Sequence, residues 1–266
     1  MVSSVTKNAA RFTGFADVYD QARPAMPFYP VKIIQTYLGR KPQCVVDLGC
    51  GTGLSSLVWT GQCDELIGIE PSDDMLAIAR MKETDGISFR KGYSGATGLE
   101  SASVDAVICS QSFHWMEPDV TLAEVNRILK PDGIFATVDC DWPPVCNWQA
   151  EKAYAALFGK VRQIEETNPE IGESFVRWNK EEHLNNIRKS GYFSYAREIV
   201  FSNTEKCTCI RFVQLAKSQG GLQTILKKMP HLIQDDVSTF EKVISKAFGS
   251  AQFNIDFGYR MRIGVK

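Results

Sequence analysis

The sequence lacks a strong charge of either sign. Thirty lysines and arginines stand against 31 aspartates and glutamates over 266 residues, which gives a formal net charge of −1. A domain that binds nucleic acid or an anionic membrane usually carries a marked excess of basic residues. We therefore expect no nucleic acid and no membrane among its partners. With 44% hydrophobic and 23% charged residues, the composition is typical of a globular protein.

Long apolar runs are also missing. No stretch approaches the roughly 18 apolar residues that a membrane-spanning helix needs. The N-terminal segment MVSSVTKNAARF lacks the apolar core of a signal peptide. These absences predict a cytoplasmic protein.

Cysteine is present, but its spacing does not predict a metal site. None of the eight cysteines belongs to a C-x-x-C pair, and no two of them stand beside spaced histidines. Cys44 and Cys109 lie in apolar, strand-like runs, where cysteine packs as a small hydrophobic side chain. We expect buried free thiols and no metal.

The first 140 residues alternate short apolar runs with helical patterns. The clearest helix is Glu117–Lys130, with Pro118 in its first turn and a Lys-Pro-Asp-Gly stop after it. Ser72 is placed to N-cap another helix. Such alternation predicts a parallel sheet that binds its ligand beyond the carboxyl ends of the strands. The predicted strands are 44–48, 66–70, 87–90, 104–109 and 134–140.

The pattern changes after Cys140, where D-W-P-P-V interrupts regular structure. We predict a single domain with its core at 1–140 and 236–266, and an acceptor-binding lid at 141–235. Within and after the lid, the patterns predict helices at 148–189, 206–218 and 235–248, and strands at 196–202 and 253–266.

The strongest local signal is V-D-L-G-C-G-T-G at 46–53. A strand ends at Leu48, a helix is expected near Gly53, and the glycines let the backbone approach a ligand. Glu70 ends the second strand, where a carboxylate can accept hydrogen bonds from both ribose hydroxyls. Asp47 would repel a pyrophosphate but suits an ammonium group. This combination favours S-adenosyl-L-methionine over a dinucleotide as the cofactor.

These segments resemble class I S-adenosylmethionine-dependent methyltransferases with a methyltransferase type 11 domain. V-V-D-L-G-C-G-T-G and G-I-E-P-S-D-D-M-L look like their first two motifs, and S-V-D-A-V-I-C-S-Q-S-F-H-W-M and L-K-P-D-G-I-F look like the fourth and fifth strand regions. The H-W pair and F-A-D-V-Y-D-Q-A-R-P are similar to the trans-aconitate methyltransferase-like subgroup. The resemblance implies an α/β, Rossmann-like, seven-stranded, mostly parallel sheet with an antiparallel C-terminal strand. It also implies helices on both faces and a helical lid insertion after the fifth strand.

The resemblance also implies roles for individual residues. The glycine turn with Asp47 would hold the methionine end, Glu70 the ribose and Met75 the adenine. Arg23 would pair with the cofactor carboxylate, and Gln111 would lie beside the sulfonium. The expected cofactor-binding set is Tyr19, Arg23, Asp47, Gly49, Cys50, Gly51, Gly53, Glu70, Pro71, Met75, Tyr93, Ser94, Ser110 and Gln111.

The sequence departs from the family at the adenine edge of the site. Where the family usually has an acidic residue in a G-D-A pattern, this chain has Gly92-Tyr93-Ser94-Gly95, so Tyr93 replaces the acid. Adenine would then be recognised by backbone groups or by the Tyr93 hydroxyl.

The expected catalytic residues are His114 and Trp115, which follow the fourth strand. Each has a plainer interpretation, since a lone histidine is usually structural and a tryptophan usually packs in a core. His114 would act as a base for an alcohol, phenol or amine acceptor, whereas a carboxylate needs no proton removal.

The favoured function is O-methylation of a small, carboxylate-bearing acceptor. The alternatives are an acceptor of another class (nitrogen, lipid or protein) and a catalytically silent nucleoside-binding module. A nicotinamide oxidoreductase is disfavoured by Asp47 and by the glycine spacing. The sequence carries no signal for an oligomeric state.

Overall fold

Seven strands form one sheet in the computed structural model of the chain, which describes residue 8, residues 16–172 and residues 175–266. The spatial order is β3-β2-β1-β4-β5-β7-β6. Strands β1 to β5 are parallel to one another, and β7 runs antiparallel to β5. The predicted Rossmann-like, mostly parallel sheet is therefore confirmed. Its strands are β1 Cys44–Leu48, β2 Glu65–Glu70, β3 Ile87–Lys91, β4 Val104–Ser110, β5 Leu129–Cys140, β6 Tyr195–Cys207 and β7 Phe253–Val265.

Ten α-helices and four short 3-10 helices complete the described part of the chain. The 3-10 helices are Ser56–Trp59, Phe113–Trp115, Lys180–Glu182 and Pro230–Leu232. The α-helices are α1 Ala16–Ala22, α2 Tyr29–Leu38, α3 Asp73–Arg80, α4 Pro118–Ile128, α5 Trp148–Thr167, α6 Pro169–Gly172, α7 His183–Lys189, α8 Cys209–Lys217, α9 Gly220–Lys228 and α10 Gln234–Phe248.

The helix expected near Gly53 was a wrong prediction. A single 3-10 turn, Ser56–Trp59, stands there instead. Gly49, Gly51 and Gly53 have φ values of 71°, 58° and 74°, so the chain cannot enter a right-handed helix before residue 54. The next positive φ comes at Gly61, so at most residues 54–60 are available for a right-handed helix.

Two other helix predictions need correction. The segment 148–189 is not one helix, because α5 stops before Pro169, whose ring is incompatible with a helix interior. Ser72 occupies the N-cap position of α3, but its side chain makes no capping hydrogen bond. Its backbone N–H donates to Glu70 Oε1 instead, at 2.9 Å.

The chain divides into two compact units. The sheet unit contains residues 24–140, 177–200 and 259–266, and the helical unit contains residues 1–23, 141–176 and 201–258. The helical unit thus includes residues 236–258, which the sequence analysis assigned to the core, and excludes 177–200, which it assigned to the lid. That the chain acts as a single domain, with 141–235 as a lid, stays a prediction.

Each unit has its own apolar interior. In the sheet unit, Val46, Leu48, Val107 and Phe135 belong to one buried cluster between the strands and helices. In the helical unit, the ring of Tyr154 lies among those of Trp142, Phe158, Phe212 and Phe240 at centroid distances from 4.5 to 6.4 Å.

Two findings bear on expectations from composition. Among the described helices, none combines the length and apolar character that crossing a membrane would require. The N-terminal segment 1–12, examined above for a signal peptide, lies outside the described residues except for residue 8, and so does Phe15 of the N-terminal motif.

Candidate active site

The glycine turn after β1 is fastened to the end of β2. The backbone N–H groups of Gly49 and Cys50 both donate to the carbonyl oxygen of Ile69, at 2.8 and 3.2 Å. A Cβ at position 49 would lie 2.7 Å from Met116 Cε and from Ser112 Cβ, so only glycine fits there. The adjacent segments, the end of β2 and the loop after β4, therefore fix the path of the turn.

Gly51 differs from the glycines on either side. A Cβ on Gly53 would lie 2.7 Å from the ring of Phe89, whereas a Cβ on Gly51 would meet nothing within 4 Å. The space beside the Cα of Gly51 is therefore not filled by protein atoms. The thiol of Cys50, which lies between Gly49 and Gly51, is buried, and burial raises its pKa well above the ordinary value.

Glu70 closes the turn from the β2 side. Its Oε2 accepts from the Gly51 N–H and its Oε1 from the Ser72 N–H, both at 2.9 Å. Burial raises its pKa to about 7, because the two backbone donors only partly replace water and Asp47 adds repulsion. Each carboxylate oxygen has a further lone pair, which leaves room for the predicted ribose hydroxyls.

Asp47 is the second buried carboxylate of this edge. Its Oδ2 accepts from the Ser56 hydroxyl at 2.6 Å, whereas its Oδ1 is buried without a hydrogen-bond partner. Burial raises the pKa of Asp47 to about 6, against the opposing effect of Ser56. Within the described chain, no basic side chain forms an ion pair with Asp47 or Glu70, so this edge is suited to a ligand that carries positive charge.

The carboxyl end of β4 supplies the other wall. Gln111 has a φ of 57°, a left-handed value that is costly for a side chain other than glycine. Its backbone N–H donates to Val138 O at 2.9 Å, and Ser112 Oγ donates to Leu48 O at 2.6 Å. Ser110 Oγ lies 3.2 Å from Ser55 Oγ. These bonds hold the loop after β4 against β1 and β5.

His114 and Trp115 form a 3-10 turn just beyond this loop, with their rings 4.7 Å apart. His114 is buried, and its Nδ1 lies 3.5 Å from Asp139 Oδ1 without making a hydrogen bond. Burial, reinforced by Lys180, lowers the pKa of His114 to about 3. The imidazole is therefore neutral at pH 7 and is a poor general base.

The residues expected around adenine occupy different environments. Met75 is buried in the sheet unit, whereas Tyr93 is 44% exposed. Pro71 is half-buried, and Ser94 Oγ accepts from Thr121 Oγ1 at 3.0 Å. Because Tyr93 is exposed and Ser94 is hydrogen-bonded to Thr121, the roles of both residues in binding adenine stay predictions.

Tyr19 and Arg23 belong to the helical unit. The guanidinium of Arg23 lies over the rings of Tyr19 and Trp142, at 5.0 and 5.1 Å. It donates to Ser218 O and Gln219 Oε1 at 3.2 and 3.0 Å, while its Nε is buried without a hydrogen-bond partner. Its predicted pairing with a cofactor carboxylate stays a prediction.

The sequence analysis missed a buried charged cluster at the carboxyl end of β5. Asp139 Oδ2 accepts from Arg262 at 3.1 Å and lies 3.0 Å from Nδ1 of His183. Its Oδ1 lies 3.2 Å from the ammonium of Lys180. Burial alone would raise the pKa of Asp139, but Lys180 and the histidines hold it well below its usual range.

The cluster continues through Arg262 to Glu198, whose Oε2 accepts from the guanidinium Nε at 2.8 Å. Two features of the sequence could have indicated it. Asp139 interrupts the apolar run of β5, and Arg262 stands in the otherwise apolar end of β7. A charge in a buried strand needs a partner.

Every cysteine of the sequence lies in the described part of the chain, and all eight are free thiols, five of them buried. Within that part, no group of three or more His, Cys, Asp or Glu side chains could hold a metal ion.

Residues 46–137 match a family model described as a methyltransferase domain. This part of the chain carries a methyltransferase domain. The match runs from β1 through the glycine turn, Glu70 and the loop after β4 into β5. It therefore covers the edge of the sheet at which the predicted cofactor-binding residues of the sheet unit lie.

Two curated relatives extend this similarity. An "Uncharacterized methyltransferase-like" protein of Schizosaccharomyces pombe is 30% identical over 168 residues, which cover 62% of this chain and 61% of that protein. A "Probable S-adenosylmethionine-dependent methyltransferase" of Saccharomyces cerevisiae is 35% identical over 125 residues, 44% of this chain and 43% of that protein. The chain thus matches about three fifths of the first relative and less than half of the second.

Among solved structures, a "Putative Type II Methyltransferase" of Anaeromyxobacter dehalogenans aligns with a TM-score of 0.70 at 18% identity, over 91% of this chain and 97% of that one. At this identity the likeness shows the fold alone. Together, the domain match and the named relatives show that the matched part of the chain is similar to S-adenosylmethionine-dependent methyltransferases. They do not identify the trans-aconitate subgroup.

Proposed function

We propose that the whole chain is an S-adenosylmethionine-dependent methyltransferase that methylates a carboxylate oxygen of a small molecule in the cytoplasm. The cofactor part rests on the turn after β1. Gly51 leaves open space, Asp47 has an unpartnered buried oxygen, and Glu70 has spare lone pairs toward the predicted ribose. These residues fit a ligand with a positively charged methionine end and a ribose.

The acceptor part rests on one observation, the neutral state of His114. With a pKa of about 3, its imidazole would be a weak base for an alcohol, phenol or protonated amine at pH 7. A carboxylate is already ionised at pH 7 and needs no base. The resemblance to the trans-aconitate methyltransferase-like subgroup supports the same acceptor class.

In this proposal the methyl group is supplied by the cofactor, and the chain contributes orientation and a dry site. Glu70 and the glycine turn would hold the nucleoside, and Asp47 would favour the ammonium of the methionine end. Ser110 and Gln111 would border the position of transfer, with Trp115 lining the acceptor side.

The first experiment measures binding and turnover. Calorimetry with S-adenosylmethionine, S-adenosylhomocysteine and NAD is expected to give binding of the first two only. A methyl-labelled cofactor is then offered with carboxylates, alcohols, amines, lipids and peptides, and label is expected in the carboxylates. Tight NAD binding without a response to S-adenosylhomocysteine would reject the methyltransferase. Label in amines, lipids or peptides would reassign the acceptor, and cofactor binding without any turnover would indicate a silent module.

The second experiment tests whether a base acts, using the acceptor found in the first. Because the folded pKa of His114 is about 3, its protonation does not change between pH 6 and 8. The saturated rate of the wild type should therefore stay nearly flat over that range, and His114→Ala should keep the same flat shape. A rate that falls steeply with acid in the wild type but not in His114→Ala would assign His114 as a base and exclude a carboxylate acceptor.

A further inference from the structure

Lys180 lies where the carboxyl ends of β4 and β5 meet. It belongs to the 3-10 turn Lys180–Glu182 of the sheet unit. Its ammonium is 3.2 Å from Asp139 Oδ1 and donates to Gln111 Oε1 at 3.2 Å. Gln111 is the residue expected beside the sulfonium, so this cation stands next to the predicted position of methyl transfer.

The charges behind Lys180 are arranged as an alternating chain. Glu198 pairs with Arg262, Arg262 with Asp139, and Asp139 with Lys180. Arg262 and Asp139 are buried, with 2% and 4% of their side chains exposed, whereas Lys180 is 31% exposed. Glu198, at the other end, is 29% exposed, so Lys180 is the accessible positive end of an ion-pair chain whose two middle members are buried.

The ammonium of Lys180 has hydrogen-bonding capacity to spare. A lysine ammonium carries three N–H donors, and Asp139 and Gln111 account for two of them. Two ring nitrogens of the same cluster, His114 Nδ1 and His183 Nε2, are buried without a hydrogen-bond partner. A buried polar group without a partner is costly, and titratable groups with strongly perturbed pKa values cluster at functional sites.

We propose that Lys180 is a specificity-determining residue, whose remaining N–H binds a negatively charged oxygen of the acceptor. The inference rests on the proposed function, because it concerns the acceptor of that reaction. Asp139 and Gln111 act as positioning residues that hold the ammonium in place. The ion-pair chain keeps Asp139 neutralised from behind by Arg262, so an acceptor anion that approaches Lys180 does not leave Asp139 without a cation.

The test compares four proteins, each saturated with S-adenosylhomocysteine: the wild type, Lys180→Met, Lys180→Arg and the control Lys41→Met. Lys41 is also a partly exposed lysine paired with an aspartate, Asp64 at 3.0 Å, but it lies just before β1, away from the carboxyl ends of the strands. Each protein is titrated by calorimetry with acids and their neutral amides: acetate and acetamide, succinate and succinamide, benzoate and benzamide, citrate and citramide.

We expect at least one acid to bind the wild type more tightly than its amide does. Lys180→Met should weaken that acid at least tenfold, which corresponds to about 1.4 kcal/mol. Lys180→Arg should retain most of the affinity, and Lys41→Met should retain all of it. Amide binding should be the same in all four proteins.

Three results would overturn the inference: no acid binds the wild type, acids and amides bind alike, or Lys180→Met binds acids as tightly as the wild type. Binding of S-adenosylhomocysteine, measured first, separates the two levels of the proposal. If the wild type does not bind it, the proposed function fails and the inference fails with it. If all four proteins bind it equally and acid binding ignores Lys180, only the inference is rejected.

Discussion

Glu70 and Asp139 are both buried carboxylates at the carboxyl ends of parallel strands of one sheet, but their partners differ. Both oxygens of Glu70 accept from backbone N–H groups, and its pKa is raised to about 7 by burial. Asp139 is surrounded by Arg262, Lys180 and His183, and its pKa is held well below the usual range in spite of burial. At the same edge of the sheet, the pKa of one carboxyl group is therefore raised and that of the other is lowered.

The difference indicates which site is complete without a ligand. A buried carboxylate with cationic neighbours has its charge compensated by the protein itself. A buried carboxylate with only backbone donors is short of positive charge until a ligand provides it. The region around Asp47 and Glu70 therefore fits a cationic cofactor, and the region around Asp139 offers its spare cation, Lys180, to an anion.

The largest expected effect comes from breaking the ion-pair chain. Arg262→Met removes the buried cation between Asp139 and Glu198, and removing one partner of a buried pair typically costs about 3–5 kcal/mol. Urea unfolding should show a loss of that size. The control is Arg260→Met on the same strand, since Arg260 is 38% exposed and 3.4 Å from Glu198, and should cost no more than about 1 kcal/mol. Equal losses of stability in the two variants would show that the buried ion pairs of Arg262 contribute no more than the exposed pair of Arg260.

The next effect concerns the pH dependence of stability without ligand. The folded pKa of Glu70, about 7, lies above its unfolded value, so its contribution is complete below pH 4.5 and is lost as the pH rises through 7. The loss is on the order of 3 kcal/mol for a shift of this size. Asp139 behaves oppositely, because its lowered pKa gives stability that disappears only as the pH falls below about 4.

Thermal unfolding from pH 4.5 to 8 measures this contrast. The unfolding temperature of the wild type should fall toward pH 8, and the fall should be smaller in Glu70→Gln, which cannot ionise at that position. A wild-type profile that rises over this range, or an identical slope in the variant, would contradict the assignment of the effect to Glu70.

The smallest expected effect is on cofactor affinity. Hydrogen bonds to a charged group contribute roughly 1.5–3 kcal/mol each, so Glu70→Ala should weaken S-adenosylhomocysteine at least about tenfold. The control is Glu65→Ala, since Glu65 is the exposed first residue of the same strand. Calorimetry with both variants checks this, and unchanged affinity in a folded Glu70→Ala protein would place the ribose contact elsewhere.

Much of the sheet edge could be predicted because it is local in sequence. Strand β1 was predicted to the residue and β2 to within one residue, since short buried strands read as continuous apolar runs between turn residues. The glycine turn lies beside Asp47 in the chain, and its positive φ values follow from residue type. Helix ends within 141–235 were predicted less well, because the hydrophobic periodicity does not show them. One helix begins after the N-cap Thr208, and another is interrupted at Pro169.

The cluster around Asp139 could not be predicted in the same way. Its members come from positions 139, 180, 183 and 262, and no local pattern links segments so far apart. His114 could be identified from the sequence as a candidate site residue, but its pKa of about 3 could not be predicted, because the shift depends on burial and on Lys180. The contacts of a charged side chain with distant segments depend on the tertiary structure, and the periodicity of the sequence gives no information about them.

The open space at Gly51 has a consequence for how this chain could change over evolutionary time. A methyl group at position 49 or 53 would collide with Met116 or Phe89, so the folded protein itself selects against change there. At position 51 a methyl group would contact no protein atom within 4 Å, and the only cost within the chain would be that of a φ of 58°. Glycine at position 51 is thus favoured by the backbone conformation alone, and a bound cofactor would add a second constraint by filling the space beside it. A lineage that dispensed with its cofactor would lose that second constraint at Gly51, whereas Gly49 and Gly53 would stay under both backbone and packing constraints.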